Sequence, residues 1–174
     1  MAKLLYSATM SLDGYIAGPD GDMSWLSEHM GVADPTVTRL LANTGAILVG
    51  NNTFGGDDPN RGTEQEGAFG GAYHGPVFVL THHPPDEPTT GVTFVDDLHS
   101  AVAQAKRAAG DKYVNILGAN VAMQCLEAEL LDEILVFIVP VLLGGGVRMF
   151  HTEGQKVRLT PVAGETAHWY GVEY

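Results

Sequence analysis

The hydrophobic positions of this chain fall into short continuous runs, separated by segments whose apolar residues recur at helical spacing. "KLLYSATM" (3–10) opens the series and reads as a buried strand, because its apolar residues run together rather than alternate. "AILVG" (46–50), "PVFVL" (76–80) and "YVNIL" (113–117) have the same character, each bounded by turn-forming residues. "EILVFIVPVLL" (133–143) predicts a long strand interrupted by Pro140, "GGG" (144–146) a wide turn, and 156–163 and 166–174 two final strands. A first helix is expected to start at Asp34-Pro35, an N-cap followed by a proline that needs no N–H there, and to end near Gly45. A second spans 98–109, capped by Asp97, with Leu98, Val102 and Ala105 on one face and Gly110 past its end. A third opens at Gly118 and carries Val121, Ala122, Cys125 and Leu126 on its apolar stripe.

Short apolar strands alternating with helices predict an α/β fold with a mostly parallel sheet covered on both faces. The strand-rich C-terminus predicts that the last members run antiparallel. With no internal repeat, linker or low-complexity tract, residues 1–174 read as one domain. Two loops stand out. "LDGYIAGPDGD" holds one short extended piece at Tyr15–Ala17, and 55–75 is Gly-rich and acidic, long enough to be a functional or a mobile loop.

Composition narrows the partners. Nine Lys and Arg stand against 21 Asp and Glu, a net charge of −12, and the cations are scattered. A nucleic-acid backbone would be repelled, and a phosphate would have to be held by backbone N–H groups and hydroxyls. There is no apolar run long enough for a membrane span. Cys125 is the only cysteine, which excludes a disulfide framework and makes a cytoplasmic location the expectation. The His82–His83 pair lacks metal-ligand spacing, so no metal is expected.

Three strands end in small or polar residues: "ILVGNNTF", "VFVLTHHPP" and "VNILGANVA". In an open α/β sheet, ligands sit beyond the carboxyl ends of the strands, where helix N-termini offer free N–H groups. Neither a GxGxxG dinucleotide fingerprint nor a GxxxxGK[ST] phosphate loop is present.

"MSLDGYIAGPDGDMSWL", "ILVGNNTF", "PVFVLTHHPP", "NILGANVAMQCL" and "PVLLGGGVRMF" occur in the order seen in the dihydrofolate-reductase-like superfamily. The chain most closely resembles stand-alone relatives of the riboflavin-biosynthesis reductase, the C-terminal domain of a bifunctional deaminase-reductase. That resemblance implies a central mixed sheet of about eight strands with helices on both faces, and a nicotinamide dinucleotide, NADPH in preference to NADH. By position, Thr9, Ile16 and Ala17 would flank the nicotinamide ring. Gly50, Asn51, Asn52 and Thr53 would serve the pyrophosphate, covered by Gly118, Ala119, Asn120 and Val121. Thr81, His82 and His83 would hold the adenosine 2′-phosphate. Asn51 stands where the folate reductases carry arginine, and Ala119 where a second glycine is usual.

For the substrate, Trp25 matches a tryptophan of the folate reductases, but their carboxylate falls on Met30, with Glu28 and Asp34 only nearby. "GDDPNR" (56–61) resembles a riboflavin-type segment and nominates Asp57, Asp58 and Arg61 as substrate ligands, with Asp22 and Trp25 beside them. Asp13 is the candidate catalytic residue. The plain alternatives are a turn at Asp13-Gly14, a core role for Trp25, solvated loop acids at Asp22 and Glu28, and packing for Cys125. The implied activity is hydride transfer to a small heteroaromatic or ribosylaminopyrimidine substrate, with a water or a loop carboxylate supplying the proton. A pterin reductase and a non-catalytic dinucleotide-binding protein are the rivals. A homodimer is expected.

Overall fold

A computed structural model of the chain describes residues 1–29, 34–152, 154, 156–165 and 167–174. The strands are β1 (Leu4–Ser11), β2 (Tyr15–Ala17), β3 (Thr44–Gly50), β4 (Val77–Leu80), β5 (Val92–Val95), β6 (Tyr113–Leu117), β7 (Glu133–Val139), β8 (Val147–Arg148), β9 (Arg158–Pro161) and β10 (His168–Glu173). The helices are α1 (Pro35–Asn43), α2 (Asn51–Phe54), α3 (Leu98–Ala109) and α4 (Ala119–Glu127), with two short 3-10 segments at Pro19–Gly21 and Ser24–His29.

Eight strands form one sheet in the order β5-β4-β3-β6-β1-β7-β10-β9. The first six are parallel, and β10 and β9 add antiparallel to the β7 side. Alternation along the central strands sorts the core into two faces. Leu4, Tyr6, Ala46, Leu48, Val114 and Ile116 meet Ala101, Val102 and Ala105 of α3 and Val121, Ala122 and Cys125 of α4. On the other face, Leu5 and Leu135 meet Leu40 of α1 and Trp169, while Ile47, Val49 and Val79 are covered by Ala68, Phe69 and Tyr73 of the 55–75 loop. That loop is therefore packed structure over part of its length. Burial pushes the Cys125 thiol up to about 12, which suits its packing role.

Both predicted caps form: Asp34 accepts from Thr36 N–H and Asp97 from Ser100 N–H. Three expectations need correction. The strand from 133 stops at Val139, before the proline that has no N–H to donate. The final strands are shorter than expected, at Arg158–Pro161 and His168–Glu173. β5 follows a turn at "TTG" and was not foreseen, its four residues being too few to show a period. A separate two-stranded sheet pairs β2 with β8, and Gly146 makes it possible. A Cβ there would lie 2.1 Å from the carbonyl oxygen of Ala17, and its φ is +119°. No helix among the described residues is long and apolar enough to cross a membrane.

Candidate functional site

The carboxyl ends of β4, β5, β3 and β6 open onto one groove of about 460 Å³. Most of the residues expected to hold a dinucleotide line it: Gly50, Asn51, Asn52, Thr53, Thr81, His82, Gly118, Asn120 and Val121. Two glycines allow its walls to meet. A Cβ on Gly118 would fall 2.2 Å from Thr53 Oγ1, and its φ of +94° already disfavours any side chain. A Cβ on Gly50 would come within 3.1 Å of Val121 Cγ2. The starts of α2 and α4 are thus drawn together across the ends of β3 and β6. The first turn of α4 receives no side-chain cap, so its N–H groups remain available at the groove.

Other expected cofactor residues lie outside the groove lining. Ala119 borders a neighbouring shallow depression with Tyr15, Met123 and Arg148, where the Arg148 guanidinium stacks over the Tyr15 ring at 4.8 Å. His83 is exposed, and its N–H donates to Thr81 Oγ1 at 3.1 Å. Thr9 is half-buried on β1, Ala17 is buried, and Ile16 packs against the α3/α4 side of the core. Asp96, Asp97, Leu98 and Gln124 also line the groove. These went unforeseen: Asp97 already had a role as a cap, and β5, which delivers Asp96, left no signal. The side chain of Gln124 donates to Asn120 Oδ1 at 2.7 Å, steadying the α4 wall.

The substrate candidates are engaged in organising loops. Asp57 accepts from Met23 N–H at 3.1 Å, joining the 55–75 loop to the segment that carries Trp25. Asp58 accepts from Asn60 N–H and Gly67 N–H, and the Arg61 guanidinium donates to the carbonyl of Gly56. Asp22 is exposed and accepts from Ser24 N–H. Trp25 is half-buried, and its indole N–H is shielded from solvent without a hydrogen-bond partner among the described residues. Met30 lies outside the described residues.

Asp13 has both carboxylate oxygens occupied. Oδ1 accepts from the Ser11 hydroxyl at 2.6 Å and from Leu143 N–H at 3.1 Å, and Oδ2 accepts from Gly144 N–H at 2.8 Å. The Ser11 hydroxyl, aided by the two backbone donors, holds its pKa down at about 2. A depressed carboxylate contributes above its unfolded value and is lost as pH falls through its folded one. The Asp13 tie is therefore expected to be complete at neutral pH and to break only as pH drops from about 4 towards 2. The amide resonances of Leu143 and Gly144 should titrate together near the lower value, and a midpoint at an ordinary carboxylate pKa would contradict the tie.

Comparison with known proteins agrees with this architecture. The model of the RibD C-terminal domain family matches residues 2–168. A solved structure of a Shewanella sp. PV-4 protein, assigned by name to riboflavin biosynthesis, is 26% identical with a TM-score of 0.74 and covers 100% of both chains. The riboflavin biosynthesis reductase Rib7 of Saccharomyces cerevisiae superposes with a TM-score of 0.58 at 18% identity, over 98% of this chain and 88% of that one. Dihydrofolate reductase from Enterococcus faecalis, solved with NADP(H), gives 0.56 at 18% identity, over 98% and 92%. The fold is dihydrofolate-reductase-like, with the mixed eight-stranded sheet and antiparallel C-terminal strands expected of it. With nearly its whole length matched, the chain belongs to the RibD C-terminal domain family.

Proposed function

We propose that the chain is a reductase that binds a nicotinamide dinucleotide along the groove and reduces a small heteroaromatic or ribosylaminopyrimidine substrate. The observation that carries the reading is the convergence of four strand ends, with Gly118 against Thr53 and Gly50 against Val121, on a groove whose walls present amides and hydroxyls. Its donor set suits a pyrophosphate held without side-chain cations: N–H groups of the first turn of α4, the Thr53 hydroxyl, and the Asn51, Asn52 and Asn120 amides. When bound, the dinucleotide supplies the hydride.

The chain's own residues bind, orient and shield. Thr9, Ile16 and Ala17, at the end of β1 and on β2, border the place of the reactive ring. Gly118 and Ala119 hold the β6 side of the pyrophosphate. Trp25 offers its unpartnered indole N–H to a polar atom of the substrate, since a buried donor without an acceptor costs free energy that such a contact recovers. Asp57 and Asp58 shape the substrate wall by holding their loops, and Asp22 and Arg61 border it. Asp13, ionised and fully bonded, positions the 11–15 turn against residues 143–144 and has no proton to give, so the proton comes from water.

The test is oxidation of reduced nicotinamide by the purified chain with a ribosylaminopyrimidinone and, separately, a dihydropterin. Turnover on the pyrimidine, with KM raised about tenfold or more by Trp25→Phe, is the expected result. Turnover on the pterin alone would replace the substrate class. Dinucleotide binding without turnover on either would make the chain a binding protein.

A further inference from the structure

We propose that the groove selects the unphosphorylated dinucleotide, NADH, and that Asp96 makes the selection. The inference rests on the cofactor reading above and reverses the phosphate preference taken from the sequence resemblance.

Strand order fixes which part of the ligand meets which wall. With the pyrophosphate between the ends of β3 and β6 and the reactive ring towards β1, the adenosine ribose must extend the other way, over β4 and β5. At roughly 4.8 Å per strand, β5 lies about 14 Å from β6, a distance an extended nucleoside half spans. The groove wall there is Thr81, His82 and Asp96. Thr81 N–H donates to the carbonyl of Val95 at 2.8 Å, which sets Asp96 beside Thr81 at the adjacent strand end.

The two acids at that end differ in what they already hold. Asp97 caps α3, accepting from Ser100 N–H at 2.7 Å, and the Ser100 hydroxyl, aided by that bond, lowers its pKa. Asp96 is exposed and is neither bonded nor ion-paired within the described residues. No lysine or arginine lines the groove among the described residues. A 2′-phosphate, close to a dianion, would therefore face a free carboxylate without a fixed cation to offset it, in a chain that carries −12 overall. A ribose with both hydroxyls free has the opposite fit. Its vicinal 2′- and 3′-OH groups can donate to the two oxygens of one carboxylate, a charge-assisted pair of bonds. The same logic places an acid on the ribose 2′-OH in NAD-binding α/β folds of different topology.

The experiment is calorimetric titration of the full chain with NADH and with NADPH at low and moderate salt, for the native protein, Asp96→Asn and Asp96→Lys. NADH should bind at least about tenfold more tightly than NADPH, the worth of one hydrogen bond to a charged group. Asp96→Asn should close most of that gap, chiefly by weakening NADH, and Asp96→Lys should reverse it. NADPH binding equal to or tighter than NADH in the native protein, or a ratio unmoved by Asp96→Asn, overturns the assignment while leaving the dinucleotide groove intact. Failure of both nucleotides to bind overturns the cofactor reading itself, and the assignment with it.

Discussion

Gly118→Ala is expected to abolish dinucleotide binding and to destabilise the chain by about 2 kcal/mol. Two independent features make the position intolerant. Its φ of +94° lies where an L side chain is strained, and the new Cβ would sit 2.2 Å from Thr53 Oγ1. Neither neighbour can retreat cheaply: Gly118 is the single residue between a central strand and α4, while Thr53 belongs to the helical turn that follows β3. Accommodation must open the near contact between the α2 and α4 walls, and that contact forms the narrow part of the groove. A loss in affinity of roughly a hundredfold or more follows, since displacement of a binding wall by an ångström is costly. Thr53→Ala in the same chain removes the nearest clash but not the backbone strain. The double variant should therefore regain part of the stability and show a favourable coupling between two touching positions. Thermal unfolding and titration of the two single variants and the double variant measure this. Native affinity in Gly118→Ala would show that the groove does not close there.

Glu133→Ala is expected to cost about 3–5 kcal/mol of stability, the largest single effect foreseen, because two side-chain donors lose a charged acceptor while the Lys3 cation left behind stays solvated. Glu133 is 4% exposed at the start of β7, the opposite end of the sheet from the groove. Lys3 Nζ donates to Oε1 at 2.6 Å, and Oε2 accepts from Trp169 Nε1 at 2.7 Å and from the Tyr113 hydroxyl at 3.0 Å. Removing the carboxylate leaves the buried indole N–H without an acceptor and opens a space under α1. For a chain of this length, such a loss lowers Tm by roughly 10 °C or more. Glu133→Gln keeps one carbonyl acceptor and should lose less. The sign of the pH dependence follows from Lys3, whose pKa is raised, first by its hydrogen bond to Glu133. A raised cation contributes fully below its unfolded pKa and fades as pH climbs through the folded one, so this link weakens only in strong alkali. Because the network lies away from the groove, the folded fraction of Glu133→Ala should bind dinucleotide as the native chain does. A loss of binding in step with the loss of stability would contradict that separation.

The parts of this molecule legible in its sequence are those fixed by local chemistry. Asp34-Pro35 and Asp97 announce helix starts because capping needs only the neighbouring N–H groups, and both caps form. The runs at 46–50, 76–80 and 113–117 are strands because both their faces are buried, so no alternation is needed to reveal them. What escaped depends on contacts distant in sequence. The two-residue β8 exists only because Gly146 can touch Ala17, and β5 only because β4 pairs with it. Of the groove lining, Gly50–Thr53, Thr81, Gly118, Asn120 and Val121 were legible as strand ends followed by small polar residues. Asp96 was not, since an acid one residue before a helix cap looks like a solvated turn until the strand beside it is known. Asp13 shows the converse: a candidate catalytic residue by sequence, it is bonded to residues 130 and 131 positions away along the chain.

The central claim is that a nicotinamide dinucleotide lies along the strand ends. The most direct measurement is backbone amide shift mapping of the full chain as NADH is added. Saturable shifts are expected at Gly50–Thr53, Thr81–His82, Asp96 and Gly118–Val121, with Glu133 and its partners unmoved. Shifts confined to another surface, or none at saturating nucleotide, would contradict it.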